Sequence, residues 1–139
     1  MFKRILFAHN ATPAAERALL YLEHLARQEH AEVIVLHVYQ PPERYIANQG
    51  YEALLEQFEA VAHEVVNDTV NHLQKAGITA LAMVDTGSPA QMILETAHEE
   101  DISLIVLGSR GPSNVTDILL GDVATEVLRH AQCPVFLVP

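Results

Sequence analysis

The chain has 139 residues, half of them hydrophobic and 19% charged, with a formal net charge of -10. That length and composition suit a single domain, residues 1–139, with a real core rather than a disordered or low-complexity segment. The acidic balance opposes binding to nucleic acid or anionic lipid, and no apolar run approaches the length of a membrane span.

The chain opens on "MFKRILFAHN", two basic residues followed at once by a short apolar run. There is no signal-peptide core or cleavage site, so the expectation is the first strand of a cytoplasmic protein. The single cysteine, Cys133, has no internal partner, which fits a reducing compartment. The strand is Ile5–His9, apolar throughout and therefore buried on both faces. Thr12 can cap the helix that follows, and Pro13 suits its first position. Ala15, Ala18, Leu19, Leu22, Leu25 and Ala26 recur at helical spacing and predict its inner face. "AEVIVLHVY", residues 31–39, is a second buried strand rich in β-branched residues.

A proline-containing loop, "QPPERYIANQG", leads into a long helix predicted over Tyr51–Lys75, with Gly77 as its stop. Its inner stripe is Leu54, Leu55, Phe58, Val61, Ala62, Val65, Val66, Thr69 and Leu73. A third strand lies within "ITALAMVDTG", residues 78–87. "SPAQ", Ser88–Gln91, has the pattern of a capping box with proline at the first helical position. The helix it opens runs to about Glu100 and carries Met92, Ile93 and Ala97 inward. "ISLIVLG", ending at Gly108, is the fourth strand and the most apolar. After the segment Gly108–Asp122 come a last helix, "VATEVLRHA", and a last strand, Val135–Val138.

The order is β-α-β-α-β-α-β-α-β. Continuous apolar strands alternating with amphipathic helices predict an α/β fold, a doubly wound parallel sheet with helices on both faces. In such sheets ligands sit beyond the carboxyl ends of the strands, where the winding reverses. That places His9–Thr12, His37–Tyr39 and Gly108–Gly111 at the ligand edge.

The segment "GSRGPSNVTDILLGD" then bears on function. Glycine at 108 and 111 permits positive φ and close approach of backbone amides to a ligand. Gly121 precedes a helix whose first turn has unpaired N–H groups and the positive end of the dipole. A phosphate can be held there, although the same glycines can simply make turns; spacing alone leaves both readings open. Other templates fail. There is no phosphate-binding G-x4-G-K-[S/T], no dinucleotide G-x-G-x-x-G and no nucleophile elbow, and "HEVVN" at 63–67 misses the zinc-protease pattern by its last residue. Of the eight histidines, His9 and His37 fall at neighbouring strand ends. A metal pair is conceivable there, but no third ligand is visible; satisfied polar groups are the simpler reading. His63 and His72 fall on the solvent side of the long helix. Tyr39, Tyr45 and Tyr51 flank the proline loop as a lid or as a cover for the core. The acidic run Glu99–Asp101 reads as a solvated helix end. No triad or carboxylate pair stands out and no catalytic base is visible, so no enzyme chemistry is expected.

"GSRGPSNVTDILLGDVATEVLRHAQCPVFLVP" resembles the carboxyl-terminal signature of the universal stress protein family, G-x2-G-x9-G-[S/T] followed by a Cys-Pro-Val strand. The likeness continues through "RILFAHNATPAAERAL", "VIVLHV" and "GSPAQMILETA". It implies a five-stranded sheet ordered 3-2-1-4-5 and a small module of the stress response that binds adenine nucleotide, ATP or AMP, with or without Mg²⁺. The alternative it implies is a nucleotide-free dimeric interaction or signalling protein of the same fold, and the resemblance also allows slow ATP hydrolysis. It also implies a homodimer paired through Val135–Val138. Carried onto this chain, Ala8 and Val38 border the adenine and Asn10 meets the nucleoside. Gly108, Arg110, Gly111, Gly121 and Val123 surround the phosphates.

The sequence departs from that pattern at three positions. Asn10 stands where the family has aspartate, and Ala11 where it commonly has glycine. Asp122 stands where a serine or threonine hydroxyl donates to a phosphate. A carboxylate there repels the phosphate unless Arg110 or Mg²⁺ offsets it, or else it serves the helix by its charge alone.

Overall fold

The computed structural model describes residues 1–40, 49–109 and 121–139. In chain order the elements are β1 (Arg4–Ala8), α1 (Pro13–Glu29), β2 (Glu32–Tyr39), α2 (Tyr51–Lys75), β3 (Thr79–Thr86), α3 (Pro89–Glu99), β4 (Leu104–Gly108), α4 (Asp122–His130) and β5 (Val135–Val138). The strands form one five-stranded sheet in the order β3-β2-β1-β4-β5, and every pairing is parallel. This is the predicted doubly wound arrangement. The winding reverses between β1 and β4, which pair through Ile5–Leu104 to Ala8–Leu107.

The central strands β1, β2 and β4 are apolar on both sides because both sides are covered, whereas the edge strand β3 leaves Leu81 exposed. Phe7, Val33, Val35 and Val106 pack under α1 and α2 with Leu22, Val66 and Leu73. Leu6, Ile34, Leu36, Ile105 and Leu107 pack under α3 and α4 with Ile93 and Val127. Burying each large aliphatic side chain contributes about 1.5–3 kcal/mol, which is why two full apolar layers suffice at this size.

The helix starts differ from one another. Thr12 caps α1: its Oγ1 accepts from the Ala15 N–H at 3.2 Å, and Pro13 follows at the first position. At Ser88 the capping box does not form. Its side chain makes no cap hydrogen bond, and Gln91 instead donates to Glu95 Oε1 at 2.9 Å. Proline already occupies the first position there and removes one unpaired donor.

In α2 the inner stripe is shifted: Val61 is exposed, while Val70, one turn before Leu73, is buried with Ala62, Val66 and Thr69. Gly77 ends this helix at φ 83°, the left-handed stop expected of it. The acidic run after α3 is not merely solvated. Arg4 donates from Nε to the Glu100 carbonyl at 2.7 Å and pairs with its carboxylate at 3.0 Å, tying the end of α3 to the start of β1. Among the described residues, no helix is long and apolar enough to cross a membrane.

Candidate functional site

The ends of β1, β2 and β4 and the starts of α3 and α4 enclose a cleft of about 350 Å³ at the point where the winding reverses. Its lining includes Ala8 and Asn10 from the end of β1, Val38 from β2, Gly108 from β4, and Gly121, Asp122 and Val123 from the start of α4. These elements are distant in sequence and meet only because β1 is central, with β2 on one side and β4 on the other. Arg110 and Gly111 lie outside the described residues, as does Tyr45. Leu36, Val38, Ile93 and Leu107 give the cleft an apolar surface, and Asn10 and Thr12 add polar groups at its rim.

A roomier groove of about 500 Å³ lies at the opposite, amino-terminal edge of the sheet, between α3 and α4. It contains none of the residues assigned to the ligand site from the sequence. The winding reversal, the convergent polar groups and a helix amino terminus all favour the smaller cleft.

The glycines act otherwise than their spacing suggests. Neither Gly108 nor Gly121 has positive φ; Gly121 sits at φ -70°, ψ 167°, extended backbone open to many residues. Gly108 is instead required by contact. A Cβ there would lie 2.6 Å from both Ala14 C and Ala15 N, so β4 can approach the start of α1 only without a side chain. Among the described residues lining or flanking the cleft, Ala11 has a left-handed backbone, at φ 61°. That conformation costs a non-glycine residue about 1–2 kcal/mol and has to be held by its surroundings.

The surroundings are a chain of hydrogen bonds. Asn10 Oδ1 accepts from the Thr12 N–H at 3.2 Å and from Thr12 Oγ1 at 2.6 Å, an Asx turn closed on itself. The Asn10 oxygen is thereby committed, and its Nδ2 hydrogens remain as the donors for a ligand. The Ala11 N–H donates to His9 Nδ1 at 3.0 Å, and His9 Nε2 lies 3.2 Å from Glu16 Oε1. His37 donates from Nδ1 to the His9 carbonyl at 2.6 Å. His9 and His37 are therefore satisfied strand-end histidines, and among the described residues no cluster of three or more metal-ligating side chains occurs. Burial pushes the His9 imidazole below its ordinary pKa. The carboxylate of Glu16 opposes that shift, and the neighbouring His37 reinforces it.

At the other wall, α4 begins at Gly121 without a side-chain cap, so its first-turn amides are unpaired by side chains of the described residues. Asp122 is exposed at the first helical position. Its carboxylate makes no hydrogen bond to its own helix start among the described residues. The amide-rich helix end and a negative charge thus share one wall of the cleft. Sequence reasoning placed His9 at the ligand edge as a satisfied histidine but missed its hold on the Ala11 turn. The signal available was a histidine two residues before a non-glycine left-handed turn, and the turn itself is legible only in three dimensions. His72, expected on the solvent face of α2, is half-exposed and bonded to Glu23 Oε2 at 2.9 Å. Tyr39 stacks on Phe58 at 6.4 Å rather than on the cleft.

The topology and the cleft define a doubly wound α/β module with a ligand-sized recess at its switch point. The family model described as the Universal stress protein family matches residues 1–139, and the chain belongs to that family. It is similar to the universal stress protein YxiE of Bacillus subtilis, 32% identical, over 99% of each chain. The solved structure of MJ0577 from Methanocaldococcus jannaschii superposes with a TM-score of 0.87 at 29% identity, covering 99% of this chain and 96% of that one. The universal stress protein from Archaeoglobus fulgidus, solved in complex with dAMP, shares the fold at a TM-score of 0.71 and 23% identity, covering 100% of this chain and 98% of that one.

Proposed function

We propose that the cleft binds an adenine nucleotide and that the protein is a small cytoplasmic binding module of the stress response rather than an enzyme. The observation that carries this reading is convergence. Ala8, Asn10, Val38, Gly108, Gly121, Asp122 and Val123, singled out from the sequence by topology, glycine spacing and resemblance, line one recess of about 350 Å³. That volume lies within the range of about 300–1,000 Å³ typical of small-molecule sites. The surface from Leu36, Val38, Ile93 and Leu107 suits a purine, the Asn10 amide suits a ribose oxygen, and the start of α4 suits a phosphate. The dAMP held by the Archaeoglobus neighbour supports the same ligand class.

The charge of Asp122 limits the phosphate end. At about 4 Å a carboxylate and a phosphate charge repel by about 1 kcal/mol in water and about 4 kcal/mol at an effective dielectric of about 20. Asp122 is exposed, so the lower figure applies unless the ligand itself excludes water. Base and ribose therefore fit this recess better than a long phosphate chain. That same carboxylate favours a second reading, a nucleotide-free interaction protein. For both readings the partner is a second copy of the chain, paired along β5. This strand is an edge of the sheet, and beside it an exposed Tyr21 ring packs at 5.8 Å against Phe136.

Calorimetric titration with adenosine, AMP, ADP and ATP, with and without Mg²⁺, tests the first reading. The expected result is saturable binding of at least the shorter ligands. No heat of binding at millimolar ligand leaves the interaction reading in its place. Equilibrium sedimentation tests the dimer in either case.

A further inference from the structure

We propose that His9 is a positioning residue for the cleft: its bare Nδ1 holds the left-handed turn at Ala11, and a proton on that nitrogen releases the turn and moves Asn10. The consequence for ligand rests on the nucleotide reading above; the turn itself does not. The chemistry follows from which atoms can donate. A backbone N–H only donates, so the 3.0 Å contact from Ala11 makes His9 Nδ1 an acceptor. The ring's one hydrogen is then on Nε2, facing Glu16 Oε1 at 3.2 Å. A second proton has one place to go, and there it meets the Ala11 N–H, donor against donor.

The ring has little freedom to swing away. The His9 N–H donates to the Leu36 carbonyl at 2.9 Å, and the His9 carbonyl accepts from His37 Nδ1 at 2.6 Å, so the backbone is clamped to β2 on both sides. The side chain is 3% exposed and lies 5.2 Å from the Phe7 ring. Relief is available at the next peptide, where Ala11 sits at φ 61°. Ala11 leaving that region takes the Asx turn of Asn10 and Thr12 with it, because both Thr12 contacts end on Asn10 Oδ1.

The groups facing the ring come from three elements. Glu16 of α1 attracts an imidazolium but is two-thirds exposed, so water screens it. His37 of β2 opposes it. Asp68 and His72 of α2 share with His9 a groove of about 320 Å³ on the α1–α2 side of the sheet, and His72 is already bonded to Glu23 of α1. Burial outweighs the attraction, and His9 protonates below the ordinary imidazole range. The cleft is thus assembled at neutral pH and loosens on acidification.

Two measurements test this on the intact protein. The first is ¹⁵N NMR of the ligand-free protein against pH. The expected spectrum shows His9 with hydrogen on Nε2 at neutral pH and the Ala11 amide shifting in step with His9 on acidification. Hydrogen on Nδ1 instead, or an Ala11 amide indifferent to His9, overturns the proposal. The second is AMP calorimetry between about pH 7.5 and 5.5 on the wild type, His9→Asn and His9→Leu. Asparagine places an oxygen acceptor near the Nδ1 position but does not titrate. His9→Asn should hold neutral-pH affinity within about threefold, and His9→Leu should weaken it about tenfold, the loss of one positioning hydrogen bond. The wild type should weaken severalfold, and by less than about tenfold, on acidification to about pH 5.5 beyond His9→Asn, because the His9 pKa lies below the ordinary imidazole value; the profile of His9→Asn subtracts the titration of the phosphate. Equal pH profiles for the wild type and His9→Asn overturn the proposal. Absence of AMP binding in every variant and at every pH refutes the nucleotide reading alone, and the NMR result still decides the turn.

Discussion

Gly108→Ala is the sharpest perturbation this structure offers. A β-carbon at position 108 lies 2.6 Å from Ala14 C and Ala15 N and 2.8 Å from Ala14 O. Ordinary carbon contacts begin near 3.5 Å, so the overlap is close to 1 Å. It falls on backbone atoms at the start of α1, and backbone cannot rotate aside as a long side chain can. Either α1 shifts or β4 leaves register. Overpacking of a dense interior costs about 1–3 kcal/mol, and a collision with backbone belongs at the top of that range. For a chain of this size each kcal/mol moves the midpoint by roughly 3–5 °C, so Tm should fall by roughly 10 °C or more. Gly77→Ala is the control. It has nothing within 4 Å of its added β-carbon and sits at φ 83°, so it suffers only the left-handed backbone cost, about 1–2 kcal/mol. Thermal unfolding followed by circular dichroism separates the two. A Gly108→Ala protein that melts within about 2 °C of the wild type would show that close approach of β4 to α1 is not what glycine provides there.

Other outcomes follow from the cleft and its framework. Asp122→Ser should tighten AMP or ATP by roughly fivefold or more while leaving adenosine unchanged, and the gain should shrink with added salt; calorimetry with all three ligands checks it, and an unchanged nucleotide affinity means the carboxylate is remote from the phosphate. Thr12→Ala removes the α1 cap and one partner of Asn10, so stability should fall by about 1 kcal/mol in denaturant titration, with weaker binding beyond that loss. His9 has a folded-state pKa below its unfolded one. The unfolded chain therefore takes up the proton first, and this residue's contribution to stability is intact above about pH 6.5 and declines as the pH falls below it. Urea midpoints for the wild type should drop over that interval more than those of His9→Asn; parallel curves would remove His9 as the cause. A phosphate-release assay with ATP should read no turnover above the protein-free control.

The fold was legible because its signals are repeated. Continuous apolar runs and helical stripes alternate along the whole chain, and only a sheet covered on both faces hides strands such as β1, β2 and β4. The site was legible only as positions. Asn10, Val38 and Gly121 were readable as neighbours once the winding order was assumed, since strand ends on one edge must converge. What each residue does was not. Gly108 was read as a source of backbone freedom and is a contact requirement, a property of the distance to Ala14 that no local pattern encodes. The Ser88 box failed because matching residue types do not oblige the side chains to turn inward when solvent and Glu95 compete. Val61 and Val70 exchanged roles because the helical period centres the buried face on Ala62, Val66, Val70 and Leu73, and Val61 lies about a third of a turn outside it.

The cleft draws its walls from the first strand, the second, the fourth and the final helix. No shorter stretch of the chain contains it, and a nascent polypeptide has most of its sheet before it has any place for a ligand. Occupancy by the proposed ligand would therefore certify completed folding. A chain can hold the proposed ligand there only once it has been synthesised through α4 and has docked it.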